Sequence, residues 1–488
     1  MLFNSLEFAL FFPVVTILFF LLPHRFRWLL LLLASCFFYM FFKPVYILIL
    51  VFTIVIDYYA GLWIAKQPDK RKKKRLLLLS IFANVGVLVV FKYYNFLAGN
   101  VNLLLKDFHT NDSIPLLKIL LPIGLSFHTF QAMSYTIEVY RGNQQPEKHF
   151  GIYALYVMFY PQLVAGPIER PQNILHQFHE EKKFNYENMR SGLILIAWGL
   201  FKKVVIADRL ALFVNQAYIN PYEYKGLPLI ISTVFFAFQI FCDFSGYSDI
   251  AIGSAQCMGY KLMTNFNRPY LATSIGEFWR RWHISLSTWF RDYVYIPMGG
   301  SKVAKPRWYF NLLIVFLISG AWHGANWTFV VWGLLHGIYL VTENELFEKF
   351  PRLKNAGSHT AVFIKRSVVF ILVAIAWVFF RAQDMSQALY VISHFFSGLP
   401  AQLKMVVSNL NYARLSLLYV NQNGFEFFVA IIAILGMMLV HRLQGRERVD
   451  DWLTHKPVAF RWPVYYALVI IFICFGIFNR SEFIYFQF

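Results

Sequence analysis

The chain has 488 residues, of which 58% are hydrophobic and 19% are aromatic, and its formal net charge at pH 7 is +19. Together with a mean hydropathy of +0.50, this composition excludes a soluble globular protein, because it carries more apolar residues than such proteins have. The basic residues cluster between apolar runs, as in cytoplasmic loops, so the charge does not indicate a nucleic-acid partner. The four cysteines lie in or beside apolar runs without CxxC or metal-ligand spacing, so they indicate no disulfide framework.

About eleven apolar stretches approach the roughly 20 residues that a helix needs to cross a bilayer. The sequence therefore predicts an all-α polytopic membrane protein with a single membrane domain, residues 1–488. The first residues lack the positive n-region and the cleavage site of a signal peptide, so we expect the first stretch to be an uncleaved crossing. Apart from the histidine-containing stretch described below, the runs lie at 6–22, 28–41, 45–65, 76–96, 115–140, 150–165, 190–210, 226–257, 362–380, 425–441 and 464–478.

Basic segments between the runs predict the orientation in the membrane. Pro23–Arg27 and the most basic loop, Lys66–Arg75, are expected on the cytoplasmic side, whereas Asn111–Ser113 has the composition of an external loop. Two further basic flanks occur at Lys365-Arg366 and at His441–Arg448. We interpret the most basic loop as a topology determinant that rests against anionic headgroups, rather than as a specific lipid site.

Two carboxyl groups interrupt the run at 226–257. An ionised aspartate at the bilayer centre costs roughly 2.5–3.5 kcal/mol, so Asp243 and Asp249 are expected to face protein or a water-filled cavity. On an unbroken helix they would point about 120° apart. Either Gly246 breaks the helix, or the two carboxyls serve different partners.

Residues 259–308 form the least hydrophobic part of the chain, with eight Lys and Arg against two acidic residues. This excess predicts re-entrant or interfacial helices near the cytoplasmic face. Tryptophans alternate there with Arg280, Arg281 and Arg291, as in an interfacial belt. Such a belt does not explain His283, which lies close to Ser285 and Ser287.

The stretch Gly320–Trp327 places His323 between glycines within an apolar run, and the pattern partly recurs at Gly333–Gly337. Each copy is also a small-xxx-small helix-packing pattern. A buried neutral imidazole can act as a general base or carry an acyl group, but glycine packing and a proton pathway are alternatives. If the stretch is one helix, Asn326 lies one turn from His323 and could orient its ring or donate to an oxyanion. No spacing of His, Cys and carboxylates indicates a metal site, and no phosphate-binding glycine loop is present.

Five motifs occur in order along the chain: Pro161–Glu169, Asp243–Asp249, Asn265–Pro269, Phe278–His283 and Gly320–Gly324. In this combination the chain resembles the membrane-bound O-acyltransferase family, and within it the bacterial alginate O-acetyltransferase branch. The resemblance covers nearly the whole chain. It implies a ring of transmembrane helices around a central tunnel, with the acyl donor entering from the cytoplasm.

The resemblance also implies roles for individual residues. His323 matches the essential histidine of the family, and His283 matches the second polar residue across the tunnel. His336, in the second copy of the glycine pattern, has no family role and is expected to be a packing residue. Candidate contacts for the coenzyme A phosphates are the three arginines at 280, 281 and 291, although the bias of basic residues toward the cytoplasm also accounts for them.

Acetyl-CoA is the implied donor, an extracytoplasmic polysaccharide the implied acceptor, and an SGNH-hydrolase-like protein the implied partner for the final transfer. The implied location is the bacterial cytoplasmic (inner) membrane. One alternative is D-alanyl transfer to teichoic acid from a carrier protein. The other is a proton-coupled transporter that relays protons through His323, Asp243 and Asp249.

Overall fold

A computed structural model describes residues 1–108, 112–118, 121–408, 414–445, 447–478 and 483–486. Helices provide the regular structure and no β-strand occurs within these ranges, so the predicted all-α class is confirmed. The predicted external position Asn111, and residues 119–120 of the run at 115–140, lie outside the described residues.

The chain forms two compact units, the first made of Met1–Ile196 and Ser248–Met263, the second of Ala197–Tyr247 and Thr264–Phe488. The prediction of one membrane domain over the whole chain stays a prediction. The helices up to the first boundary are α1 (Leu6–Leu21), α2 (His24–Met40), α3 (Ile47–Lys66), α4 (Lys70–Leu88), α5 (Tyr94–Asp107), α6 (Leu125–Arg141), α7 (Phe150–Met158), α8 (Tyr160–Leu163), α9 (Pro171–His179) and α10 (Tyr186–Leu200), the last of which crosses it.

The remaining helices belong to the second unit, except that α12 contributes to both. They are α11 (Asp208–Ile219), α12 (Leu227–Cys257), α13 (Ile275–Arg281), α14 (Ile284–Phe290), α15 (Lys305–His323), α16 (Trp327–Lys349), α17 (Pro351–Asn355), α18 (His359–Arg381), α19 (Met385–Ser393), α20 (Leu399–Ser408), α21 (Gly424–Leu443), α22 (Val449–Thr454) and α23 (Val458–Phe475). Short 3-10 turns include Pro269–Leu271 and Ile484–Phe486, and a π-helical segment spans Phe201–Ala207.

Six helical segments of the described chain are long and apolar enough to cross a membrane, which agrees with a multi-pass protein. The predicted number of about eleven crossings is not confirmed. The six segments are Pro44–Lys66, Lys70–Asp107, Leu227–Cys257, His359–Arg381, Gly424–Leu443 and Val458–Phe475.

The basic stretch expected as a loop is partly helical. α4 begins at Lys70, because the Asp69 carboxylate accepts the Arg71 amide at 2.7 Å and caps the helix. Lys and Arg are also good helix formers. The positive charge therefore lies on the first turns of a helix.

Helix α12 is continuous through Gly246, so this glycine does not break it. A Cβ at Gly246 would lie 2.7 Å from the carbonyl oxygen of Gly199, and the glycine therefore permits a close approach of two helices. Asp243 and Asp249 consequently lie on different faces of one helix.

Candidate active site

Two helices that meet in a tight turn carry the central histidine. α15 ends at His323, and α16 follows after a short turn. A Cβ on Gly320 would lie 2.3 Å from the Phe329 carbonyl oxygen, and a Cβ on Gly333 would lie 2.2 Å from the Phe316 carbonyl oxygen. The repeated glycine pattern therefore lets the two helices pack backbone against backbone.

Aromatic rings surround the His323 side chain, which is buried. The distances from its ring centroid are 4.8 Å to Trp322, 4.8 Å to Trp332, 5.4 Å to Phe380 and 5.7 Å to Tyr485. An imidazole with such neighbours has little contact with water and is held in one position.

The predicted role of Asn326 required one continuous helix through His323. The structure instead has a turn after His323. Asn326 caps α16: its side-chain oxygen accepts the Thr328 amide at 3.0 Å, and its Nδ2 donates to the Gln383 carbonyl at 2.8 Å. Its side chain is therefore engaged away from His323, and it fixes the turn instead of orienting the ring. Asparagine is one of the preferred residues for the position before the first turn of a helix, a signal that the assumption of one helix overlooked.

His283 precedes α14 in a left-handed backbone conformation, with φ 44° and ψ 55°, and is fully buried. Such a conformation costs about 1–3 kcal/mol in a non-glycine residue and often marks a functional position. Asn265 holds it in place: its side-chain oxygen lies 3.1 Å from Nδ1 of His283 and accepts the Ser285 hydroxyl at 2.9 Å. Its carbonyl oxygen accepts the Ile284 amide at 2.9 Å.

The hydrogen bond that the Asn265 side-chain oxygen accepts also assigns the tautomer of His283. An amide oxygen only accepts, so Nδ1 of the neutral ring carries the proton and Nε2 is the basic atom. Burial lowers the pKa of His283 to about 3, so the ring is neutral near pH 7.

Trp322 and Tyr485 lie beside both histidines. Their ring centroids are 6.4 Å and 6.5 Å from that of His283, compared with 4.8 Å and 5.7 Å from that of His323. The second unit thus gathers both predicted histidines around two shared aromatic rings.

A buried ion cluster fixes the turn that contains Tyr485. The Ile484 amide donates to the Asp243 carboxylate at 2.8 Å. Lys203 Nζ lies 2.8 Å from Asp243 and 2.8 Å from Asp208, and all three charged side chains are buried. Asp243 therefore has a structural partner of opposite charge and a backbone donor from a distant part of the chain.

His336 lies in a separate aromatic cage. Its Nδ1 accepts the Trp279 indole N–H at 3.3 Å, its ring stacks on Phe278 at 6.2 Å, and Trp332 lies 5.1 Å away. These contacts agree with the packing interpretation.

The three arginines predicted to bind coenzyme A each lie near a carboxylate. A phosphate would have to compete with that carboxylate, so this role stays a prediction. The pairs are Arg280 with Glu343, Arg281 with Glu277 at 2.6 Å, and Arg291 with Asp292 at 2.8 Å.

Sequence reasoning did not identify Asn265 or Tyr485 as site residues. Asn265 belongs to a motif that carried the family resemblance, so a signal existed, but Tyr485 follows the last apolar run with no spacing that links it to a histidine. In the described part of the chain, no three His, Cys, Asp or Glu side chains are grouped to hold a metal ion.

Comparison with known proteins adds the decisive observation. Residues 148–381 match the model of the membrane-bound O-acyltransferase family. The probable alginate O-acetylase AlgI of Pseudomonas aeruginosa is 39% identical over 419 residues, which are 85% of this chain and 78% of that protein. The chain belongs to the membrane-bound O-acyltransferase family.

The names of other relatives of this acyltransferase give different acceptors. The peptidoglycan O-acetyltransferase of Helicobacter pylori is 38% identical over 389 residues, 74% of this chain and 72% of that protein. The teichoic acid D-alanyltransferase of Bacillus subtilis is 30% identical over 249 residues, 47% of this chain and 60% of that protein. The chain is thus a multi-pass membrane O-acyltransferase whose more similar relatives are O-acetyltransferases.

Proposed function

We propose that this protein takes acetyl groups from cytoplasmic acetyl-CoA and passes them across the bacterial cytoplasmic membrane for O-acetylation of an extracytoplasmic polysaccharide. An SGNH-hydrolase-like partner would make the final transfer. The observation that best supports the proposal is the pair of buried imidazoles, His283 and His323, gathered around Tyr485 in a member of this family. The names of the relatives that act on alginate and peptidoglycan support a glycan acceptor.

In the proposed reaction His323 is the general base. It accepts the proton of a hydroxyl while the hydroxyl oxygen bonds to the thioester carbonyl carbon, the carbon–sulfur bond breaks, and the proton passes to the leaving sulfur. The carbonyl end of α15, where His323 lies, carries partial negative charge and would stabilise the imidazolium formed in between. Tyr485 is the hydroxyl-bearing side chain whose ring contacts both histidines, and tyrosine can also carry a covalent intermediate.

The test uses membranes that contain the full-length protein, radiolabelled acetyl-CoA and candidate polymers, with and without an SGNH protein. We expect label in alginate or peptidoglycan glycan only when both proteins are present. Release of free thiol with no label on any polymer would mean that the acceptor is wrong. No thiol release, together with proton movement in liposomes, would support the transporter alternative instead.

The D-alanyl alternative is tested in the same membranes by supplying D-alanyl carrier protein in place of acetyl-CoA. Similarity to the teichoic acid D-alanyltransferase covers less of the chain, which favours acetyl transfer. If teichoic acid were labelled from the carrier and no polymer were labelled from acetyl-CoA, D-alanyl transfer would be favoured over acetyl transfer.

A further inference from the structure

A cavity of about 610 Å³ lies in the second unit, where the two basic flanks singled out in the sequence come together. Arg366 lies near the start of α18, and Arg442 lies in the last turn of α21. The walls of the cavity include Leu271, Arg366, Met438, Leu439, His441 and Arg442. A volume of this size is within the range of small-molecule sites.

The charges around this cavity are uncompensated. None of its lining residues is acidic. Arg366 donates through Nε to the carbonyl oxygen of Leu271 at 3.1 Å, a neutral partner. Arg442 has no hydrogen bond or ion pair with any residue in the described ranges.

Charged groups near His441, one of the lining residues, add to the positive potential. His441 is buried between Trp198 and Phe241, with ring centroids 6.2 Å and 5.8 Å away. Lys202 and Arg268 both interact electrostatically with it. A bound anion would therefore contact the two guanidinium groups and would also be attracted by the positive charges of Lys202 and Arg268.

Apolar surface continues from the charged end along α21. Met438 lines the cavity, and the Leu439 side chain is 57% exposed. Guanidinium groups form paired hydrogen bonds with phosphate oxygens, and basic pockets between membrane helices bind anionic headgroups. We propose that this cavity binds a phosphate group that carries an apolar arm, with Arg366 and Arg442 on the phosphate and Met438 and Leu439 along the arm.

The binding test does not depend on acyl transfer. Wild type, Arg366→Gln, Arg442→Gln and the double variant are placed in phosphatidylcholine nanodiscs and titrated with fluorescent phosphatidylglycerol. We expect binding about fivefold weaker for each arginine replaced. Arg352→Gln, an exposed arginine in α17 outside the cavity, is the matched control and should bind as wild type does.

The proposal is overturned if the double variant binds phosphatidylglycerol as tightly as the control, or if wild type does not prefer it to phosphatidylcholine. A second measurement separates the two sources of such a ligand. Displacement of the fluorescent lipid by coenzyme A assigns the phosphate to the acyl donor, whereas retention of the lipid assigns it to a membrane phospholipid. Either result supports the phosphate site. Both can be measured even if the protein shows no acetylation activity.

Discussion

His323 and His336 share a glycine-flanked sequence pattern but differ in their neighbours. His323 faces Tyr485 and the region of His283, whereas Nδ1 of His336 is occupied by the Trp279 indole. We expect His323→Ala to abolish polymer acetylation in a protein that still folds and inserts into the membrane, although the lost ring leaves a cavity that can lower its melting temperature. The measurement is acetyl label in the polymer beside a melting curve of the purified variant.

His336→Ala is the matched comparison for this prediction. It should retain acetylation, although it leaves a cavity in an aromatic cage and can lower stability. Loss of acetylation in a well-folded His336→Ala protein would reverse the ranking of the two histidines. An unfolded His323→Ala protein would instead favour packing as the role of His323.

Asn265 positions His283 through one side-chain oxygen and one carbonyl. Asn265→Ala removes the oxygen that pairs with both His283 Nδ1 and the Ser285 hydroxyl, and losing a buried hydrogen-bond acceptor costs about 1–3 kcal/mol. We expect acetylation to fall at least about tenfold, because the ring loses the contact that fixes its tautomer and orientation. The assay compares initial rates at equal amounts of folded protein.

Asn267→Ala is a close control for this substitution. Asn267 lies two residues away, its side chain is exposed, and its oxygen accepts from Arg268 instead of a histidine. Its rate should stay within about twofold of wild type, as expected for a surface substitution. Equal losses of acetylation rate in the two variants would show that the rate depends on the loop as a whole and not on the hydrogen bond to His283.

At the scale of helices, the α15–α16 pair depends on backbone contact at its glycines. Gly333→Ala would place a Cβ 2.2 Å from the Phe316 carbonyl oxygen, so the helices must separate, at a cost of about 1–3 kcal/mol. We expect a lower melting temperature and a lower acetylation rate. In α21, Gly436 has nothing within 4 Å of its Cβ position, so Gly436→Ala should leave both unchanged. The same melting temperature for both variants would contradict this account.

A charge-assisted hydrogen bond attaches the turn Ile484–Phe486 to the site. Ile484→Pro removes the amide that donates to Asp243 and keeps a backbone angle suited to the start of a helical turn. Such bonds are worth about 1.5–3 kcal/mol, so we expect the acetylation rate to fall about tenfold or more as Tyr485 loses its position. Ile484→Val keeps the amide and most of the side chain and should stay near the wild-type rate. Equal rates for the proline and valine variants would show that this bond does not position Tyr485.

At the scale of the whole molecule, the charge distribution predicts the orientation. In a variant without the four native cysteines, Lys72→Cys should react with a membrane-impermeant maleimide only in inverted vesicles. Asp112→Cys, within the predicted external segment, should react only in intact spheroplasts. Both side chains are exposed, so each cysteine is reachable from its own side. Labelling of Lys72→Cys from outside would reverse the predicted orientation.

The class of protein could be predicted from the amino-acid sequence, and the same sequence pointed to the two histidines of the candidate site. Membrane insertion depends on the number of consecutive apolar residues, which is a local property that can be read directly. His283 and His323 stood out because polar side chains are rare and costly in such surroundings, and the family motifs marked the same positions.

The groups that touch those histidines became visible in the folded chain. Hydropathy does not report the angle at which helices cross or where a helix stops, so the break after His323 and the capping role of Asn326 came from the folded chain. The contacts of Tyr485 with both rings join segments far apart in the sequence, and the hydrogen bond between Asn265 and His283 joins two motifs separated by a turn and a short helix. Such contacts follow from the packing of many side chains at once, which no local pattern contains.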